Sequence, residues 1–114
     1  MRLVPCDPAS ALELDGFGNR GSRPAPLARS RGCRVACGHL EAGGRNGRHA
    51  AGGQRRLAIV AGKGEVSGAG ALPHPVGFGV AAVREPGEQP ETRSASGLTA
   101  IVVELVDVDV LAVE

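Results

Sequence analysis

Large apolar side chains are most concentrated in residues 98–113, near the end of the chain. Most of them are valine or isoleucine, whose branched Cβ fits a pleated sheet better than a helix. Over residues 106–110, valines alternate with Asp107 and Asp109, which is the period of a strand with one buried and one solvated face. The pattern therefore predicts a strand, and the length of the stretch predicts a bend or bulge near Glu104.

Three further segments have strand-like patterns. Residues 57–61 form a short apolar run that ends at Gly62, and residues 76–83 carry apolar side chains at alternating positions. Within residues 33–40, positions 33, 35 and 37 share one face of an extended chain. Prolines and a glycine mark residues 85–96 as a polar connector.

Residues 16–56 have a different composition. Ten of these 41 residues are glycine, nine are arginine and only four are large and apolar. So few apolar side chains cannot offset the conformational entropy lost when the backbone becomes ordered. We therefore predict a mainly β fold that is small and loosely packed. It has three or four short strands in a region at 57–114, and a largely disordered Gly/Arg-rich region at 1–56. An α+β fold is the alternative.

The overall composition favours a chain without a specialised activity. Gly, Ala, Arg and Pro supply 55 of the 114 residues, and all four are encoded by GC-rich codons. There is no Trp or Tyr and only two Phe, so the side chains that bury the most area are scarce. The sequence thus predicts the product of a short open reading frame in GC-rich DNA with no dedicated biochemical activity. We expect that it is not an enzyme.

Location and cofactors follow from what the sequence lacks. Proline and aspartate within the first eight residues interrupt any apolar segment of a signal peptide, and no apolar run is long enough to span a membrane. Three cysteines are an odd number and do not suggest a disulfide framework. By default, we expect a cytoplasmic protein with no cofactor.

One group of residues has the chemistry of a metal site. Cys33, Cys37 and His39 lie close together in the sequence, and His49 follows. Zinc prefers these ligand types, but the spacing differs from that of the known zinc modules. A helical turn would bring Cys33 and Cys37 together, whereas a strand would hold them too far apart to share one ion. Two small apolar side chains beside a solvated histidine are the favoured interpretation.

A glycine-containing segment follows the apolar run at 57–61. Residues Gly62 to Ser67 resemble part of a dinucleotide fingerprint, which suggests a degenerate nucleotide-binding fragment. Ser67 replaces the third glycine, and the two prolines and two glycines that follow disfavour the helix that would meet a pyrophosphate. Chance occurrence in a chain with eighteen glycines is the favoured interpretation.

Charge is distributed unevenly along the chain. Residues 1–60 contain ten arginines and four acids, whereas residues 61–114 contain three basic residues and eight acids. The first half could bind nucleic acid or another polyanion weakly and without sequence preference, although no aromatic residues are interleaved for base stacking. The candidate residues are Arg29, Arg31, Arg34, Arg45, Arg48, Arg55 and Arg56.

Overall fold

The computed structural model describes residues 1–13, 16, 18–47, 53–68 and 72–105. A short 3-10 turn at Pro8–Ser10 precedes seven strands. The strands are β1 (Arg20–Ser30), β2 (Cys33–Asn46), β3 (Arg55–Ser67), β4 (His74–Gly77), β5 (Ala81–Arg84), β6 (Glu91–Ser94) and β7 (Leu98–Leu105).

All strand pairs are antiparallel, and the two longest strands organise the sheet. One edge of β2 pairs with β1, and its other edge pairs with β7 and then with β6. In the same way, β3 pairs with β7 and β6 on one edge and with β5 and β4 on the other. The sheet curves into a barrel, and residues of β1, β2, β3, β6 and β7 line one common cavity inside it.

The barrel core is built from the inward positions of the long strands. Strand alternation sends every second side chain of each strand to the concave face. Burying each of the larger aliphatic side chains contributes about 1.5–3 kcal/mol relative to exposure. The core cluster consists of Leu40, Leu57, Ile59, Val76, Leu98 and Ala100, with Val66 and Val102 packed against it.

Two glycines in β3 permit close contact between backbones. The register of β3 on β7 shifts between Ile59 and Ala61, and Gly62 follows this irregularity with a φ of 79°. A Cβ at Gly62 would collide with the carbonyl oxygen of Gly97, and one at Gly64 would collide with that of Arg93. Glycine is therefore required at these positions, because any side chain would push β3 away from the backbone of Gly97 and Arg93.

The first half of the chain is ordered, which corrects the prediction of a disordered, loosely packed protein. β1 and β2 lie within residues 16–56, and β2 is hydrogen-bonded to β7 over eight consecutive residue pairs. The Cα radius of gyration is 13.9 Å, close to the value of about 13 Å for a compact domain of this length. The prediction failed because it counted only apolar residues within the segment, whereas β2 is stabilised by pairing with apolar strands distant in sequence.

Several predicted elements also differ in detail. The polar connector at 85–96 contains β6, and the segment at 76–83 divides into the end of β4, a turn at Phe78 and Gly79, and most of β5. β7 runs in regular register through Glu104, so the predicted bulge is absent there.

Residues 106–113 lie outside the described residues. No α-helix occurs in the described ranges, so the α+β alternative is not supported, and none of their helices could cross a membrane.

Candidate functional site

Four charged residues occupy one row across the concave face. Arg34 of β2 is paired in register with Glu104 of β7, which is paired with Arg55 of β3. Arg55 is in turn paired with Arg84 of β5. Arg34, Glu104 and Arg55 each share the parity of the core positions on their strands, so the alternation that buries leucine also directs these charges inward. Arg84 is aligned with them through its pairing with Arg55.

Glu104 connects the two arginines beside it. Its Oε1 lies 3.1 Å from Nη2 of Arg34, and its Oε2 lies 3.2 Å from Nη2 of Arg55. The Arg34 side chain is 53% exposed, whereas those of Glu104 and Arg55 are about 20% exposed. Arg34 therefore lies at the solvent end of the row, and the charges become more buried toward Arg55.

Arg84 is the most buried charged residue in the row, with 3% of its surface exposed. One of its terminal nitrogens donates a 2.9 Å hydrogen bond to the hydroxyl of Thr92, which is fully buried. Burial, and after it the like charge of Arg55, lowers the pKa of Arg84 to about 10, although Glu88 opposes this shift. Among the described residues, no carboxylate lies within ion-pair distance of Arg84.

Arg55 has a polar atom without a partner. Its Nε is buried and makes no hydrogen bond within the described part of the chain. An N–H buried in this way costs free energy unless an acceptor reaches it. The inner end of the row thus carries two neighbouring guanidinium groups, one orphaned donor and a single nearby carboxylate that is already shared with Arg34.

A cavity of about 460 Å³ lies against this row. Arg34, Glu104 and Arg55 line it from the row and Arg29 lines it from β1, whereas Arg84 is hydrogen-bonded to Thr92 and does not line it. The remaining wall is largely apolar, including Pro24, Pro26, Ala36, Leu57, Ala100 and Val102. This combination of an apolar wall with a few convergent polar groups is typical of small-molecule sites, which occupy about 300–1,000 Å³.

The candidate zinc ligands lie on the other face of β2. Four residues along a strand span about 13 Å, so Cys33 and Cys37 cannot share one ion. The ring of His39 is held between the Thr99 hydroxyl, at 3.4 Å, and the carbonyl oxygen of Cys6, at 2.8 Å. Burial and a hydrogen bond with the Cys6 thiol raise the pKa of Cys37. His49 lies outside the described residues.

The described residues do not fit a metal ion. A protein metal site usually needs three or more donors from His, Cys, Asp or Glu. No such group occurs in residues 1–13, 16, 18–47, 53–68 and 72–105. The charged row instead offers three cationic groups and one carboxylate, which is a donor set suited to anions.

The arginines predicted to bind polyanions do not form one surface. Arg34 and Arg55 belong to the charged row, while Arg29 and Arg31 are exposed near the β1–β2 turn. Arg56 is exposed and donates to Gln54, and Arg45 donates to the carbonyl of Gly18 at 2.7 Å. Arg48 lies outside the described residues. A second cleft, of about 610 Å³, does gather the basic residues Arg20, Arg45, Lys63 and Arg93.

The glycine segment at Gly62–Ser67 is part of a strand. β3 continues through these residues and pairs with β4 and β6. A dinucleotide site needs a helix whose free N–H groups face the phosphates. Within the described residues, no helix follows β3. The structure therefore offers no such arrangement at this segment.

Sequence analysis missed Arg84 and Thr92. Residue 84 continues the alternation of Phe78, Val80 and Ala82, but Phe78 and Val80 are exposed, so this alternation did not mark a buried face. The burial of Arg84 follows instead from the pairing of β5 with β3. Thr92 gave no signal, because β6 is only four residues long and lies in a polar segment.

Comparison with known proteins places the fold. No protein-family model matches the chain, and no curated protein matches it in sequence. Solved structures do match in shape. A predicted oxalate decarboxylase from Thermotoga maritima has a TM-score of 0.77 at 18% identity, covering 92% of this chain and 99% of that one. A cupin 2 conserved barrel domain protein from Salinispora arenicola has a TM-score of 0.73 at 17% identity, covering 90% and 87%.

A DMSP lyase from Ruegeria pomeroyi has a TM-score of 0.73 at 21% identity, and the match covers 89% of this chain and 59% of that one. At these identities the likeness shows the fold alone. The chain has the cupin fold.

Proposed function

We propose that this chain is a cupin-fold domain that binds a small organic molecule inside its barrel. The observation that carries the proposal is the cavity of about 460 Å³, with an apolar wall and convergent polar groups at one end. Such a cavity removes most of a small ligand from water, and its few polar groups orient that ligand. The similar solved proteins include a predicted oxalate decarboxylase and a DMSP lyase, both named for small molecules, which supports the proposal.

Binding without turnover is part of the proposal. Of the charged row, the residues that line the cavity are Arg34, Arg55 and Glu104. Both oxygens of that carboxylate are engaged by guanidinium groups, so it is poorly placed to take a proton from a ligand. His39 lines the cavity through its strand, but its ring nitrogens are engaged by Thr99 and Cys6. The earlier prediction that the chain is not an enzyme therefore stays a prediction.

A pair of alanine variants in β2 tests where ligands bind. Ala36 lines the cavity, whereas Ala42 is exposed on the same strand. A fragment library screened by ligand-observed NMR against the full chain should yield binders that Ala36→Leu excludes and Ala42→Leu retains. Thermal unfolding confirms that both variants are folded. Binders that Ala36→Leu retains with unchanged affinity would contradict a site inside the barrel.

Weak polyanion binding remains a second candidate, now at a different set of residues. Arg20, Arg45, Lys63 and Arg93 line the cleft of about 610 Å³, and Glu65 is the one acidic residue among its described lining residues. Such a cluster releases counterions from nucleic acid, so affinity should fall steeply with salt and be independent of sequence.

Filter binding of a DNA duplex at several salt concentrations tests this second candidate. Each phosphate contact that is lost lowers the salt slope by about one. Lys63→Gln combined with Arg45→Gln should therefore reduce the slope, whereas Arg56→Gln, an exposed arginine outside the cleft, should leave it unchanged. An equal effect of all three substitutions would assign the binding to net charge rather than to the cleft.

A further inference from the structure

The inner end of the charged row has more positive charge than the described residues neutralise. Arg34, Arg55 and Arg84 face a single carboxylate, that of Glu104, and both of its oxygens are occupied by the first two arginines. Arg84 is 3% exposed, and its described side-chain partner is the uncharged hydroxyl of Thr92. Glu88 is the acid that raises the pKa of Arg84, but it is exposed, and its carboxylate accepts a hydrogen bond from the backbone N–H of Glu85.

A buried guanidinium group without a counter-charge is costly, because water that would solvate it has been removed. Like-charged neighbours increase that cost, and Arg84 and Arg55 are paired in register on adjacent strands. The Nε of Arg55 is also buried without an acceptor among the described residues. Two independent observations, the unbalanced charge and the orphaned donor, thus point to the same missing partner, a group that is both anionic and hydrogen-bond accepting.

The cavity indicates what kind of molecule carries that group. Arg55 lines it and Arg84 does not, so an anionic group in the cavity would contact Arg55 and lie in the field of Arg84, its neighbour in register. The planar fork of a guanidinium group matches the two oxygens of a carboxylate. Away from the charged row, much of the wall is formed by apolar residues such as Pro24, Ala36 and Val102, and the exposed Arg29 is the further charged residue that lines it.

We propose that the ligand of this barrel is an organic monocarboxylate, whose carboxylate binds Arg55 in front of the buried Arg84 and whose aliphatic body packs against the apolar wall. This inference rests on the proposed function, since it assumes a ligand inside the cavity. An inorganic anion would satisfy the arginines but would leave the wall uncovered. A neutral molecule would cover the wall but would leave the charge unbalanced.

Calorimetric titration of the full chain with butanoate, hexanoate and octanoate tests the proposal, with hexanamide and sulfate as comparison ligands. Hexanoate should bind roughly tenfold or more tightly than hexanamide, because only the carboxylate neutralises the buried charge. Sulfate should bind more weakly than hexanoate. Arg84→Met should weaken hexanoate binding by roughly tenfold or more and leave hexanamide binding unchanged.

Arg56→Met is the matched control, because Arg56 is exposed, lies outside the cavity lining and donates to Gln54. It should bind all ligands as the unmodified chain does. Arg84→Lys provides a second variant that keeps the buried charge, and it should bind hexanoate more tightly than Arg84→Met does. Circular dichroism establishes that each variant is folded before titration.

Equal affinity for hexanoate and hexanamide would overturn the inference. So would sulfate binding as tight as that of any carboxylate, or a folded Arg84→Met that binds hexanoate normally. Failure of all three carboxylates to bind would also overturn it. The proposed function has a separate test, because neutral fragments excluded by Ala36→Leu would show a ligand site in the barrel even if the carboxylate inference were wrong.

Discussion

The two ends of the barrel interior are built by the same strands and have opposite chemistry. At one end, Leu40, Leu57, Ile59 and Leu98 pack into a continuous apolar core. At the other end, inward positions of β2, β7, β3 and β5 carry Arg34, Glu104, Arg55 and Arg84. Alternation sends side chains inward whatever their type, so the difference lies in residue choice alone. The apolar end supplies stability, whereas the charged end departs from the pattern that stabilises folds, as binding sites commonly do.

Leu57→Ala should produce the largest effect of any substitution considered for the two ends. Leu57 is 3% exposed and belongs to the core cluster, so its truncation leaves a cavity and should lower the free energy of unfolding by about 2–5 kcal/mol. Val60→Ala is the control, since Val60 lies on the same strand and is 42% exposed. Urea unfolding monitored by circular dichroism measures both. Similar losses from the two variants would contradict the assignment of β3 faces.

Glu104→Gln should destabilise the charged end by a smaller amount. The substitution keeps the shape of the side chain but removes the charge shared by Arg34 and Arg55. Because both arginines and the carboxylate retain some solvent exposure, we expect a loss of about 1–3 kcal/mol rather than the full cost of a buried pair. Glu41→Gln, which breaks an exposed ion pair with Arg23, should cost less than about 1 kcal/mol in the same unfolding assay. A Glu104 variant as stable as its control would argue against a structural ion-pair row.

Arg84→Met should have the opposite sign. Without a bound anion, removal of a buried cation that lacks a described counter-charge should stabilise the chain by about 1 kcal/mol, even after the loss of one hydrogen bond to Thr92. Arg56→Met should change stability by less than about 0.5 kcal/mol, because that residue is exposed. Thermal unfolding in ligand-free buffer measures both. Destabilisation by Arg84→Met would show that the residue supports the fold rather than a ligand.

The smallest expected effect concerns the outer face of β2, where Cys37 lies behind the barrel wall. Burial raises the pKa of this thiol, so the folded state retains its proton at a pH where the unfolded chain releases it. Its contribution to stability is therefore complete below the ordinary thiol pKa of about 8.5–9 and is lost as pH rises through the higher folded value. Cys37→Ala should weaken the decline of stability between neutral and alkaline pH, whereas Val60→Ala, which removes no titratable group, should leave it unchanged. The two variants are compared by urea unfolding across that range.

Part of the site was predictable from alternation alone. Residues 57–61 were predicted only as an apolar run, but Arg55 shares the parity of Leu57 and Ile59, which the structure places on the inward face of β3. Arg84 was not predictable in this way, because Phe78 and Val80, the alternating residues before it, are exposed. What alternation could not reveal is that Arg34, Glu104, Arg55 and Arg84 lie in one row. Their adjacency depends on the register of β2, β7, β3 and β5, and that register joins residues up to seventy positions apart.

The order of the first half illustrates the same limit. Judged within residues 16–56, glycine and arginine predict disorder, because local burial cannot offset the entropy of ordering. In the folded chain, β2 is hydrogen-bonded along one edge to the apolar strand β7. The prolines at 24 and 26 suit the edge position of β1. The hydrophobic partner of β2 is thus supplied by residues 98–105, about sixty positions away.

The sequence by itself determined the β character of the chain, because branched apolar residues at alternating positions fit a pleated sheet and little else. It also determined which side chains of each strand share a face. Only the tertiary structure decided that the strands close into a barrel, that glycines such as Gly62 mark close strand crossings, and that four charges meet beside one cavity. The physical reason is that local pattern sets the direction of each side chain, whereas non-local hydrogen-bonded pairing sets which side chains become neighbours.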